Sequence, residues 1–193
     1  MKQLVFIHGG ESFTTYEDYL EALRSWKYDP KKEVTKRWKD TLIEELGNQW
    51  EVLMPTMPNK YNAKYAEWKI WFKKVIPYIN DDVLLVGYSL GGSFLVKYLS
   101  DETLSKKIYA TFLVATPYDK MLAEFGVPDS LEQFEKQAGK VFLYHSEDDF
   151  VVPFRELAEF RAQLPEATVR VFTDRGHFLQ SQFPEIVKDI LSI

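Results

Sequence analysis

The sequence predicts an α/β fold in which a parallel sheet is covered on both faces by helices. Six short apolar runs recur along the chain, and segments with helical spacing separate them. Most of the runs are continuously apolar, which is typical of strands buried on both faces. Strands that alternate with helices form parallel sheets with right-handed crossovers. The predicted strands are Leu4–Ile7, Glu51–Met54, Val83–Val86, Ile108–Val114, Val141–Tyr144 and Thr168–Phe172.

The composition fits one compact domain, residues 1–193. Hydrophobic residues make up 46% of the 193 residues and aromatic residues 16%, which indicates a globular chain. A net charge of −5 offers no basic surface for nucleic acid. No apolar run is long enough to cross a membrane and none resembles a signal peptide, so we expect a cytoplasmic protein. Without cysteine, and with three dispersed histidines, the sequence predicts neither a metal site nor a cofactor.

In the segments between the strands, apolar residues recur at helical spacing and form stripes that predict amphipathic helices. The first begins at Thr15 and Asp18, which are spaced as a capping box. Two connections, 11–48 and 115–139, are longer than a simple crossover, and the first contains a charged hinge at Lys27–Glu33. Ligands bind beyond the carboxyl ends of parallel strands, which is where segment 115–139 begins. The stripes run from Tyr16 to Trp26, Trp38 to Leu46, Tyr65 to Ile79 (with Trp68 and Trp71 expected to pack), Phe94 to Leu99, Leu157 to Leu164 and Pro184 to Leu191.

The most specific motif is Gly87-Tyr88-Ser89-Leu90-Gly91, a G-x-S-x-G sequence between a predicted strand and a predicted helix. In that context the serine lies on a strained turn that exposes its hydroxyl at the sheet edge. The alternative is an ordinary turn serine. Ser89 is therefore a candidate nucleophile, and the N–H of Leu90, at the start of the helix, is a candidate donor to an oxyanion.

A serine nucleophile needs a histidine base and an acid that orients it. His177 follows the last predicted strand and so projects past the same sheet edge as Ser89, whereas we expect His8 and His145 to be structural. Three acids, Glu147-Asp148-Asp149, end the preceding strand. They could form a solvated turn, but the chain order of serine, acid and histidine is that of one known triad arrangement.

Gly-Tyr-Ser-Leu-Gly, Asp-Asp-Phe-Val-Val-Pro and Gly-His-Phe together resemble the α/β-hydrolase superfamily, in particular its compact serine hydrolases of the retinoblastoma-binding protein 9 type. The resemblance implies a three-layer sandwich with six parallel strands in the order 2-1-3-4-5-6. It implies Asp149 as the triad acid, with Asp148 as second choice. It also implies the N–H of Gly10 as the second oxyanion donor, with that of Glu11 next.

Aromatic residues near the predicted site allow two interpretations. They could line a pocket for an apolar acyl or aryl group, or they could be core residues. The predicted substrate-binding residues are Tyr88, Glu11, Phe150 and Phe178. The wider aromatic set adds Phe13, Tyr16, Tyr118, Phe125 and Phe154.

The motifs support two hypotheses of function. The first is hydrolysis of a small-molecule ester, thioester or amide through an acyl-enzyme on Ser89. The alternative is a hydrolase-fold interaction module with little or no catalysis, whose protein partner would bind the Tyr28–Glu33 hinge or segment 115–139. Fold alone does not establish function. The complete set of triad residues in the sequence nevertheless favours the enzyme over the interaction module.

Overall fold

A computed structural model describes residues 1–31 and 35–193. Six parallel strands form one sheet in the order β2-β1-β3-β4-β5-β6, as the sequence predicts. Of the predicted hinge, Lys32 and Glu33 lie outside the described residues. The strands are β1 (Lys2–Ile7), β2 (Trp50–Leu53), β3 (Val83–Tyr88), β4 (Ile108–Val114), β5 (Lys140–Ser146) and β6 (Thr168–Phe172).

Helices cover both faces of the sheet. Because side chains alternate along a strand, neighbouring residues of one strand enter different apolar layers: Val5 and Ile7 one layer, Leu4 and Phe6 the other. The helices are α1 (Tyr16–Ser25), α2 (Trp38–Leu46), α3 (Tyr65–Val75), α4 (Leu90–Asp101), α5 (Glu132–Gln137), α6 (Glu156–Gln163) and α7 (Pro184–Leu191), with 3-10 turns at Ile76–Tyr78 and Ala123–Phe125. Helices α3 to α6 pack on the Val5 layer, and α2 and α7 pack on the Leu4 layer. The three-layer prediction is therefore confirmed.

Helix α1 differs from the other helices because none of its residues is buried. The predicted capping box forms, with the Asp18 N–H donating to Thr15 Oγ1 and the Thr15 N–H donating to Asp18 Oδ2, both at 3.1 Å. Phe13 and Trp26 contact each other, and Trp26 contacts Tyr61. The apolar stripe of α1 thus lies on the surface beside the carboxyl edge of the sheet and not in the core.

The two tryptophans expected to pack on α3 behave differently. Trp68 is fully buried, whereas Trp71 is 42% exposed, so packing is confirmed only for Trp68. Within the described parts of the chain, none of the helices has the length and hydropathy to span a bilayer.

Candidate active site

Ser89 lies on a sharp turn between β3 and α4. Its backbone has φ +52° and ψ −125°, a left-handed conformation that is strained for a residue with a Cβ. The turn is tight: a Cβ on Gly91 would lie 2.2 Å from the Ile7 carbonyl oxygen, and one on Gly87 would lie 2.6 Å from the Gly92 Cα. Glycine at both positions lets strand and helix approach closely enough to hold the serine in this conformation.

His177 joins Ser89 to an acid. Its Nε2 atom lies 3.0 Å from Ser89 Oγ, and its Nδ1 atom lies 2.9 Å from Asp149 Oδ2. Because an ionised carboxylate only accepts hydrogen bonds, the Nδ1 position carries the proton and Nε2 can accept the serine proton. The structure therefore brings together the three predicted residues, which are far apart in the sequence.

The Asp149 carboxylate is buried and accepts several hydrogen bonds. Its Oδ1 atom accepts the N–H groups of Val151 at 2.8 Å and Val152 at 3.0 Å. Burial by itself raises the pKa of Asp149, but the hydrogen bonds from His177, Val152 and Val151, together with the His177 charge, outweigh it and lower the pKa. The carboxylate consequently stays ionised beside the imidazole.

Asp148, the second choice for the acid, has a different role. Its Oδ1 atom accepts the Gly176 N–H at 2.9 Å and the Ser146 hydroxyl at 2.5 Å. The Ser146 oxygen in turn accepts the Arg175 N–H at 3.1 Å. Asp148 and Ser146 thus anchor the loop that carries His177, a contribution that the sequence reasoning did not identify.

The loop after β1 lies against the Ser89 turn. A Cβ on Gly9 would lie 3.1 Å from Ser89 Cβ, and one on Gly10 would lie 3.4 Å from Leu90 Cδ2. Among the described residues, no acceptor binds the N–H of Gly10 or of Leu90, whereas the Glu11 N–H donates to the Lys60 carbonyl at 2.8 Å. The N–H of Glu11 therefore already has an acceptor, whereas the N–H groups of Gly10 and Leu90 remain available.

His8 and Trp68 support this loop through hydrogen bonds and a ring contact. The Met57 N–H donates to His8 Nε2 at 2.8 Å, so the proton is on Nδ1, which lies 2.6 Å from the Gly9 carbonyl. Burial lowers the pKa of His8, which keeps the ring neutral as this pattern requires. Trp68 donates through Nε1 to the Pro58 carbonyl at 2.7 Å and contacts the His8 ring edge to face. The structural role expected for His8 is confirmed.

His145 lies behind the acid. Its Nε2–H donates to the Val152 carbonyl at 3.0 Å, and the same nitrogen is 4.0 Å from Asp149 Oδ2. Burial lowers its pKa, so the ring stays neutral. Like His8, His145 supports the site and does not approach Ser89 in place of His177.

Ser89 opens into a cleft of about 880 Å³. Tyr88 lines it and donates its hydroxyl to the His177 carbonyl at 2.6 Å. Burial, with the Asp149 charge, raises the pKa of Tyr88, so the phenol remains a donor. Glu11 also lines the cleft, where desolvation raises the pKa of its carboxyl group and the nearby His177 charge opposes that rise. Both residues lie where the sequence placed them.

The prediction for Phe178 is corrected. Its side chain is 1% exposed and packs against Phe172 and Phe183 in the Leu4 layer, because the chain turns at Phe178 with φ +52° and directs the ring inward. Phe150 is 73% exposed and lies beside His177, with ring centroids 6.5 Å apart, at the outer rim of the site. Of the wider aromatic set, Phe125 and Tyr118 are core residues. Of the aromatic residues predicted to line the pocket, Tyr88 is the one found in the cleft lining of the described structure.

The lining of the cleft includes several charged residues besides Glu11, which the sequence analysis did not predict. The basic residues that line the cleft are Arg37, Lys39, Lys60 and Arg155. The acidic residues added to Glu11 are Asp119 and Glu156. Segments 11–48 and 115–139 supply several of these residues, so both long connections do border the site. The available signal was the high density of charged residues in segment 27–40, which follows a helix stripe.

A parallel sheet of this strand order, with a nucleophile turn after its central strand, defines the class of α/β hydrolases. Solved structures agree: the ydeN gene product from B. subtilis has a TM-score of 0.77 at 19% identity, covering 100% of this chain and 98% of that one. A meta-cleavage product hydrolase from Pseudomonas fluorescens has a TM-score of 0.70 at 13% identity, covering 100% of this chain and 90% of the other.

Sequence comparison identifies the family within that class. The sequence model of the serine hydrolase family matches residues 30–187. A curated relative, the serine hydrolase RBBP9 of Rattus norvegicus, is 24% identical over 164 residues, which cover 81% of this chain and 84% of the relative. The chain therefore belongs to the serine hydrolase family.

Proposed function

We propose that this protein hydrolyses carboxylic esters, and by the same chemistry thioesters or amides, through an acyl-enzyme on Ser89. The observation that carries the proposal is the hydrogen-bonded chain from Ser89 Oγ through His177 to Asp149, with spacings of 3.0 and 2.9 Å. A serine hydroxyl becomes nucleophilic when a base so placed removes its proton. The substrate we propose is a small acyl compound, and the reaction needs no cofactor.

In the first half of the reaction, Ser89 Oγ attacks the carbonyl carbon while its proton passes to His177 Nε2. The carbonyl oxygen becomes an oxyanion, which the N–H groups of Gly10 and Leu90 bind. When this intermediate collapses, the bond from carbonyl carbon to the leaving oxygen breaks, and His177 donates its proton to that oxygen. The alcohol departs and the acyl group remains on Ser89.

In the second half, His177 takes a proton from water as the water oxygen attacks the acyl-enzyme. The second intermediate breaks the ester bond to Ser89, the serine oxygen regains the proton from His177, and the carboxylic acid leaves. Asp149 holds the imidazole in the required tautomer and stabilises its charged form in both halves. Each oxyanion donor of this kind contributes about 3–4 kcal/mol to transition-state stabilisation.

Labelling with a fluorophosphonate probe tests the proposal. We expect one probe per chain on Ser89, no labelling of Ser89→Ala, and strongly reduced labelling of His177→Ala. Ser130→Ala is the matched control, since Ser130 lies on an exposed turn before α5 and should label like the wild type. A folded protein that takes up no probe and hydrolyses no 4-nitrophenyl ester would contradict the enzyme and favour the interaction module.

A further inference from the structure

The charges in the cleft are separated in space. Lys60 comes after β2, Asp119 after β4 and Glu156 after β5, so they flank Ser89, which comes after β3, from opposite sides. The charges of Lys39 and Lys60 both act on His8, so these two residues lie on the same side of the cleft. Arg37 lies near the Tyr88 hydroxyl, on which its charge acts. We call Arg37, Lys39 and Lys60 the basic wall.

The acids on the other side already have partners. Asp119 Oδ1 accepts the Met121 N–H at 2.7 Å, and Glu156 Oε2 accepts the Tyr118 N–H at 2.9 Å. The Arg155 charge also acts on Glu156. Backbone donors thus hold both carboxylates, and the Arg155 charge offsets part of their negative charge.

Among the described residues, one member of the basic wall forms an ion pair, and the same carboxylate, that of Asp40, also acts on the Arg37 charge. Lys39 pairs with Asp40 at 3.1 Å, but within residues 1–31 and 35–193 neither Arg37 nor Lys60 has a carboxylate within 4.0 Å. Arg37 donates through Nη1 to the Leu179 carbonyl, which holds it beside the His177 loop and leaves its other N–H groups available. The Lys60 ammonium group lies 5.0 Å from the centre of the Tyr61 ring.

Glu11 does not neutralise this wall. It lines the same cleft, but among the described residues its carboxylate lies within 4.0 Å of neither the Arg37 guanidinium nor the Lys60 ammonium group. Two cations held on the wall of a partly enclosed cleft without carboxylate partners form a favourable environment for an anion, since charge-assisted hydrogen bonds are the stronger ones.

We propose that the cleft selects acyl substrates that carry an anionic group, a carboxylate in particular, and that Arg37 and Lys60 bind this group while Ser89 attacks the carbonyl. The inference rests on the proposed hydrolase function and assigns its substrate class.

Matched ester pairs test the inference. The first pair places the charge in the acyl half: mono-4-nitrophenyl adipate against 4-nitrophenyl methyl adipate. The second places it in the leaving half: 4-carboxyphenyl butyrate against 4-(methoxycarbonyl)phenyl butyrate. We expect kcat/KM to be about tenfold higher for the charged member of at least one pair, and the pair that responds identifies the half of the substrate that meets the basic wall.

Arg37→Gln and Lys60→Gln should each reduce that charged-to-neutral ratio by about tenfold, mainly through KM, and 0.2 M NaCl should weaken it. If Arg37→Gln disturbs the His177 loop, Lys60→Gln still tests the wall, because Lys60 lies on a different loop, after β2. Arg161→Gln and Lys107→Gln remove the same charge from exposed positions outside the cleft and should leave the ratio unchanged.

The outcomes separate the two proposals. If the neutral esters are hydrolysed and Ser89 labels, but the charged esters are no better or the wall variants keep the ratio, the anionic substrate class is wrong and the hydrolase stands. If no ester is hydrolysed and Ser89 does not label, the proposed function fails and the substrate class fails with it.

Discussion

Asp149 Oδ2 lies 2.9 Å from His177 Nδ1, whereas the adjacent Asp148 directs its carboxylate to the backbone N–H of Gly176. Two consecutive aspartates thus serve the same histidine in different ways. Asp149 binds the imidazole itself, and Asp148 fixes the backbone that carries it. Because the functions differ, substitution of the two residues should have different kinetic consequences.

Asp149→Asn should lower kcat by roughly 10³–10⁴-fold, because an amide favours the wrong imidazole tautomer and cannot stabilise the imidazolium ion. Asp148→Asn keeps an oxygen that can accept the Gly176 N–H, so we expect kcat within about tenfold of the wild type and a lower melting temperature. Steady-state hydrolysis of 4-nitrophenyl butyrate and thermal unfolding measure both effects. Equal kinetic losses in the two variants would show that loop geometry, and not the tautomer, limits the reaction.

Gly10→Ala tests the oxyanion loop. A Cβ at this position would lie 2.6 Å from the Lys60 carbonyl oxygen, a backbone atom that cannot move aside as a flexible side chain could. The loop must shift and take the Gly10 N–H with it, so we expect kcat to fall by about 10²–10³-fold with a smaller effect on KM. Pre-steady-state acylation rates with a 4-nitrophenyl ester measure this loss.

Gly47→Ala is the control for that experiment. Gly47 ends α2 at φ +73° with nothing within 4 Å of its missing Cβ, and it lies away from the site. Alanine there should cost about 1 kcal/mol of folding free energy through backbone strain and leave kcat unchanged. Comparable kcat losses in both variants would attribute the Gly10 effect to stability and contradict a local role.

The sheet could be predicted from the sequence because most of its strands are continuously apolar, and such runs have few alternatives to a buried position. Ser89 and His177 could be predicted because each comes directly after a strand, and the loops after parallel strands meet at one edge of the sheet. The choice of Asp149 over Asp148 came from family resemblance. The deciding contacts, the N–H groups of Val151 and Val152, depend on a loop conformation that no periodicity encodes.

The lining of the cleft could not be predicted for a similar reason. Arg37 and Lys60 are separated in sequence, and both line the cleft because of the packing of α2 and the path of the chain after β2. Aromatic residues near the motifs were ambiguous, since a ring enters the core or the cleft according to one backbone angle, as Phe178 shows. The stripe on α1 predicted a helix correctly, but periodicity alone does not say what covers its apolar side.

A polar cluster under α7 should make the stability of the protein depend on pH in the acid range. Asp189 is 7% exposed, receives the Tyr144 hydroxyl at 2.7 Å, and receives Arg170 through Nε at 3.0 Å and Nη2 at 2.9 Å. Burial raises the pKa of Asp189, but the hydrogen bonds from Arg170 and Tyr144 outweigh it, and the pKa is lowered. The cluster ties β5, β6 and α7 together away from the cleft.

The sign of the pH effect depends on that lowered pKa. An aspartate in the unfolded chain titrates near pH 3.9, so as the pH falls the unfolded state binds the proton first. The contribution of Asp189 to stability is fully present well above pH 3.9 and is lost as the pH falls through the lower pKa of the folded state. Asp189→Asn should therefore reduce the free energy of unfolding by about 1–3 kcal/mol at pH 7, and by clearly less at pH 3.

Urea unfolding of the wild type and the variant at pH 7 and pH 3 measures this difference. Asp129→Asn serves as the control, because Asp129 pairs with Lys120 at 2.5 Å on the surface with its side chain 92% exposed, where water screens the pair. The control should change stability little at either pH. A difference between wild type and Asp189→Asn that is equally large at pH 3 would mean that shape and packing at this position, and not the ionised carboxylate, stabilise the junction of β5, β6 and α7.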